Sequence, residues 1–117
     1  MEARAVAKHI RMSPRKVRLV VDQIRGCPVT EAYSLLQFSK KAAAVPVSKT
    51  LRSAVANAQD LADRDGESVD VDELVVSEAF VDEGPTLRRW KAAAQGRAMP
   101  RRRRTSHVTL VVKSKES

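Results

Sequence analysis

One cysteine, two histidines and four aromatic side chains are all that this 117-residue sequence holds of the residues that most often carry chemistry. A single cysteine excludes an internal disulfide. Cys27 lies in "RGCPV", at a predicted helix end, and nucleophilic chemistry there would need a base beside it. Only His9 and His107 exist, so Cys27 is read as a structural thiol, which fits a reducing, cytosolic compartment. Without clustered ligands no metal site is expected. No Gly-rich phosphate loop and no nucleophile elbow is present, so neither a cofactor nor an enzyme is expected. Aromatics make up 3% of the chain (Tyr33, Phe38, Phe80, Trp90), so the core must be built from Val, Leu, Ile and Ala. No apolar run approaches the roughly 18 residues of a membrane span. No apolar segment of signal-peptide type follows Met1, and the chain is expected to be complete and untargeted. The length suits one domain, spanning 1–117.

Acidic residues are missing altogether from 84–115, which carry ten Lys and Arg. Residues 60–83 hold ten of the 14 acids and one Arg; residues 1–26 hold seven Lys and Arg against two acids. The net charge is +8. A surface that only needs solubility intersperses the signs. This segregation points to a polyanionic partner on one side, with the acids turned away from it.

"EARAVAKHIRM" partly alternates and predicts a strand. Ser13 is a good N-cap and Pro14 a good first helical residue. Val17, Val20, Val21 and Ile24 then recur on one helical face, and Gly26 is a natural C-cap. Thr30 is placed to cap a second helix, "EAYSLLQFS", with Ala32, Leu35, Leu36 and Ser39 inward. A third helix is predicted in "KKAAAVPVSKTLRSAVANAQDLA". Its inner face is Val47, Leu51, Ala54, Val55, Ala58, Leu61 and Ala62, and Pro46 marks either a kink or the start of its regular part. "DELVVSEAFV" and "SHVTLVV" are predicted strands. The 23 residues between them, 82–104, are too many for an ordinary hairpin loop. As two paired arms of about 11 residues they would reach on the order of 35 Å.

Arg88 to Arg104, "RRWKAAAQGRAMPRRRR", contains eight basic residues and no acid. A run of arginines is most often a solvated tail or a localisation signal. A tail would be terminal, whereas this run feeds into a Val-rich strand. Trp90 lies among Arg88, Arg89 and Lys91, the combination that stacks bases and pairs phosphates. An isolated two-stranded ribbon is marginal in water, and this one repels itself. A nucleic acid around it removes both difficulties. Lys8, Arg11, Arg15, Lys16 and Arg18 form a second basic group, beside a helix N-terminus at Ser13 that suits a phosphate.

Taken in order, "RMSPRKVRLVVDQIRG", "SAVANAQ", "VDEGPTLRR", "QGRA" and "RRTSHVTLVV" resemble the bacterial large-subunit ribosomal protein twenty-two family, over about residues 3–113. The resemblance implies an α+β fold: a small three-stranded antiparallel sheet packed on three helices, with a long protruding β-hairpin at about 82–104. It implies a structural component of the large ribosomal subunit that binds large-subunit rRNA and assists early assembly. Its hairpin would line the nascent-peptide exit tunnel. The expected rRNA-binding residues are Lys8, Arg11, Ser13, Arg15, Lys16 and Arg18, then Arg88, Arg89, Trp90, Lys91, Arg97 and Arg101, Arg102, Arg103 and Arg104. Thr105, Ser106 and His107, which would return the hairpin to the sheet, complete the set. The tip facing the tunnel would be Ala92, Ala93, Ala94, Gln95, Gly96, Arg97, Ala98 and Met99. Family tips commonly read Pro-Arg-Ala-Arg-Gly-Arg-Ala, so Ala92 to Ala98 keep the spacing but lack a proline and two arginines. That departure bears on tip contacts, tunnel charge and macrolide-related behaviour. Implied partners are rRNA, neighbouring large-subunit proteins and the nascent peptide, in the cytoplasm, with no membrane and no homo-oligomer.

Two other classes fit less well. A free DNA-binding regulator would use the helices as a helix-turn-helix. The turn "RGCPVT" is basic and contains proline, and no helix offers the Asn, Gln and Arg set that reads base edges. A polybasic membrane-surface protein would need an amphipathic helix with bulky aromatics.

Overall fold

The computed structural model describes residues 1–92 and 98–114, with side chains outside 87–103. The elements run β1 (Glu2–Ile10), α1 (Pro14–Ile24), α2 (Val29–Gln37), α3 (Ala44–Arg64), a 3-10 turn (Val71–Glu73), β2 (Leu74–Glu83), β3 (Leu87–Ala92), β4 (Ala98–Arg103) and β5 (Ser106–Ser114). Three helices and a three-stranded antiparallel sheet of order β1-β5-β2 make the expected α+β fold; β3 and β4 pair in a separate two-stranded sheet.

Alternation in the strands sets the core. Val108, Leu110 and Val112 of the central strand β5 are fully buried. Opposite them stand Ala3, Ala5 and Ala7 of β1 and Val76, Ala79 and Val81 of β2. The helices α1 and α3 pack on this sheet, α1 on β2 and α3 on β1. Val17, Val20, Val21 and Ile24 of α1 are all fully buried, as their spacing predicts. Ala54, Ala58 and Ala62 of α3 are buried alongside Ala3 and Ala5, and small residues on both sides let this helix approach its strand closely.

Several boundaries differ from expectation. Helix α2 begins at Val29, so Thr30 lies inside its first turn rather than capping it, and Ser39 lies beyond its end. Helix α3 starts at Ala44, which puts Pro46 in its first turn, where a missing N–H costs nothing. Leu35 and Leu61, expected inward, are 40% and 38% exposed. Each has a buried neighbour one residue on, Leu36 and Ala62, and the helical face is too narrow to hide both.

The expected hairpin is built in two parts, one in each sheet. Asp82 and Glu83 still belong to the main sheet, opposite His107 and Ser106. The ribbon proper begins at Leu87 and ends at Arg103, six paired residues on each side, or about 20 Å of ladder. Pro85 has no N–H to carry the ladder across the break. The chain as a whole is elongated: its Cα radius of gyration is 17.5 Å and its longest dimension 66 Å, against a radius of about 13 Å for a compact chain of this length.

Candidate nucleic-acid interface

The interface is organised from the hairpin root. Three successive residues hold three different segments there. Thr105 donates from Oγ1 to the Pro85 carbonyl at 2.7 Å. Ser106 donates from Oγ to the Met12 carbonyl at 2.7 Å. His107 accepts at Nδ1 from the His9 backbone N–H at 3.1 Å. His9 adopts a left-handed φ of 60°, beside a register shift in β1, and its ring meets that of His107 edge-to-face at 4.9 Å. Gly84 closes the root by donating to the Thr105 carbonyl at 2.9 Å. A Cβ at Gly84 would run into Thr105 Oγ1 and lie 3.0 Å from the His107 ring. Only glycine fits so close an approach.

These bonds tie the hairpin root to the β1–α1 connection, and so bring Lys8, Arg11, Ser13, Arg15 and Lys16 to the same end of the fold. Lys8, Arg11, Arg15 and Lys16 are exposed. The two ion pairs of the described residues, Arg25–Asp22 and Arg64–Asp60, use none of them. Ser13 holds the N-cap position, but its side chain makes no cap bond, and the first turn of α1 has no acid. The helix end therefore keeps its partial positive charge. Arg18 is exposed yet also serves the fold, donating to the Val81 carbonyl at 2.9 Å.

In the ribbon, the register sets Arg88 opposite Arg102 and Arg89 opposite Arg101, with Leu87 opposite Arg103 and Trp90 opposite Pro100. Like charges directly opposite one another weaken a ladder. Ala92, Ala98 and Met99 close the described part of the ribbon, whereas Ala93, Ala94, Gln95, Gly96 and Arg97 lie outside the described residues.

Thr105 and Ser106 were expected as direct contacts. They are 5% and 0% exposed, and their hydroxyls are committed to backbone carbonyls. Their place is inside the root, shaping it. His107 is half-buried.

Sequence reasoning missed how the edge of β2 is blocked. Arg25 donates from Nε to the Ala79 carbonyl at 3.0 Å, with a second bond from its terminal nitrogen. Arg18 takes the Val81 carbonyl, and the α1–α2 linker bonds Val76 on both sides through Gly26 and Cys27. An open sheet edge invites pairing with another chain, and this one is covered. Gly26, at φ 80°, makes the turn that brings the linker there. Burial, then the nearby Glu31 carboxylate, push the Cys27 thiol above its ordinary range, which makes it a poor nucleophile.

The sequence matches the family described as ribosomal protein L22p/L17e over residues 5–113. Curated relatives include the large ribosomal subunit protein uL22 of Bifidobacterium longum (strain DJO10A). It is 53% identical over 116 residues, which cover 99% of this chain and 98% of the relative. The protein of the same name from Bifidobacterium animalis subsp. lactis (strain AD011) is 52% identical with the same coverage. A family match over residues 5–113 and relatives more than half identical over nearly the whole chain lead to one conclusion: this chain belongs to the ribosomal protein L22p/L17e family.

Proposed function

We propose that this protein is a structural, non-enzymatic component of the large ribosomal subunit, acting in the cytoplasm as one domain with an extended hairpin at 82–104. Its task is to bind large-subunit rRNA, assist early assembly and place its hairpin tip along the nascent-peptide exit tunnel. The observation that carries this reading is the ribbon register. Two successive arginine-on-arginine pairs, Arg88 with Arg102 and Arg89 with Arg101, make a two-stranded ladder that is costly in water alone. Phosphates between and around the arms reverse that cost.

In this reading the arms, through Arg88, Arg89, Trp90, Lys91 and Arg101 to Arg104, together with Arg97, neutralise phosphates and release counterions. Lys8, Arg11, Arg15, Lys16 and Arg18 bind a second rRNA segment at the root, and the α1 N-terminus at Ser13 adds its dipole. Thr105, Ser106 and His107 fix the angle between these two surfaces by their bonds to Pro85, Met12 and His9. Ala92 to Met99 face the tunnel and the nascent peptide. Neighbouring large-subunit proteins are the remaining partners; no membrane, cofactor or second copy of the chain takes part. Crosslinking within purified ribosomes tests the assignment. Crosslinks from residues 86–104 to large-subunit rRNA are expected, and their absence overturns the role of the hairpin.

A further inference from the structure

A third basic surface lies outside everything assigned above. Between Glu31 and Asp60 the chain has no acidic residue and carries Lys40, Lys41, Lys49 and Arg52. Helices α2 and α3 pack together here and leave a cleft of about 350 Å³, lined by Tyr33, Gln37, Ser48 and Arg52. That volume is within the range of sites that hold a small ligand or one unit of a polymer. Tyr33 and Gln37 are one helical turn apart on α2; Ser48 and Arg52 are one turn apart on α3, with Lys49 beside them. The cleft thus presents a phenol, an amide, a hydroxyl and a guanidinium from two rigid elements. Arg52 is near enough to Tyr33 to act on its phenol electrostatically. Neither Lys49 nor Arg52 takes part in the two ion pairs of the described residues.

The residues that follow Gln37 in the chain are as telling as the cleft. Phe38 directly follows Gln37 and is 79% exposed, the most exposed of the large apolar side chains described. Lys40 and Lys41 come next and are exposed. An aromatic face with lysines beside it and a guanidinium in an adjoining cleft is a sequence-tolerant way to hold an unstacked nucleotide: base on ring, phosphate on cation.

We infer that the α2–α3 cleft is a third, separate RNA site, which takes an unpaired nucleotide of large-subunit rRNA, with Arg52 and Lys49 on the phosphate and Phe38 stacked on the base. This inference rests on the rRNA-binding function proposed above. It adds a contact made by α2 and α3, independent of the hairpin and of its root. The role of Tyr33, Gln37 and Ser48 is to line the cleft with groups that hydrogen-bond a ribose or base edge.

The test compares full-length protein with Arg52→Ala, Phe38→Ala and Arg64→Ala variants in filter binding to protein-free large-subunit rRNA across a salt series. Arg64 is on the same helix but outside the cleft, paired with Asp60, so Arg64→Ala makes the same charge change elsewhere. Arg52→Ala is expected to weaken binding about fivefold and to lower the salt slope by about 0.7, the value for one phosphate on a single strand. Phe38→Ala is expected to weaken binding by between about fivefold and a hundredfold with the slope unchanged. Arg64→Ala should match the parent protein. If the parent binds and Arg52→Ala and Phe38→Ala bind equally well, the cleft is not an RNA site, while the rRNA-binding function stands. If the parent does not bind, both fall. Mapping crosslinks from Tyr33 and Phe38 in intact ribosomes gives a second readout: attachment to rRNA supports the inference, and attachment only to a neighbouring protein overturns it.

Discussion

Replacing Gly84 with alanine puts a methyl group where the hairpin root has no room. The new carbon runs into Thr105 Oγ1 and lies 3.0 Å from Cε1 and 3.2 Å from Nε2 of His107. Thr105 is 5% exposed and its hydroxyl is held by the Pro85 carbonyl, so it cannot swing aside freely. Moving it forfeits that hydrogen bond, about 1 kcal/mol. Crowding at the His107 ring adds about 1–3 kcal/mol, the usual cost of overpacking. Gly84→Ala is therefore expected to destabilise the protein by about 2–4 kcal/mol, measured by urea unfolding followed by far-UV circular dichroism. A double-mutant cycle isolates the cause. Thr105→Ala alone should cost about 1 kcal/mol for the lost bond. Combined with Gly84→Ala it removes the atom that the new methyl strikes, so the double variant should be less destabilised than the sum by at least about 1 kcal/mol. Additivity within about 0.5 kcal/mol, or a Gly84→Ala variant as stable as the parent, would refute the close-approach argument.

The core and the cleft each give a sharper contrast. Leu51 is fully buried and Phe38 is 79% exposed, so Leu51→Ala should cost about 2–5 kcal/mol in the same unfolding assay, whereas Phe38→Ala should stay within about 0.5 kcal/mol. Tyr33 is the only tyrosine, and burial raises its phenol above the ordinary value, with Arg52 pulling the other way. A phenol raised in the folded state keeps its proton longer there than in the unfolded chain. Its contribution is complete below the unfolded value of about 10 and is lost as pH rises through the higher folded value. Titrating tyrosinate absorbance should give a midpoint above that of free tyrosine; a midpoint at or below it would contradict the packing of α2 on α3.

Helix α1 was legible almost to the residue, because Ser13-Pro14 starts it, Gly26 ends it and four apolar positions with a period of 3.6 face the sheet. Strand β5 was equally plain in the alternation of Val108, Leu110 and Val112. The run from Arg88 to Arg104 exposed the candidate interface for the same reason: it is local, and no acid dilutes it. What escaped depends on partners far apart in the chain. Nothing near Ser106 announces that its hydroxyl meets Met12, 94 residues away, or that Arg25 ends on Ala79, 54 residues on. That Asp82 and Glu83 stay paired in the main sheet was hidden, because strand residues on either side of Gly84-Pro85 extend equally well. The cleft was invisible because Tyr33 and Arg52 belong to different helices, each ordinary by itself.

One measurement bears most directly on the central claim. A native cell lysate is fractionated on sucrose gradients at low and at high salt, and this protein is detected in each fraction. The account predicts co-migration with the large ribosomal subunit that survives the high-salt wash, as an integral protein anchored by an rRNA-held hairpin would show. Migration at the top of the gradient, or with DNA, would contradict it and make the arginine ribbon a free nucleic-acid-binding arm.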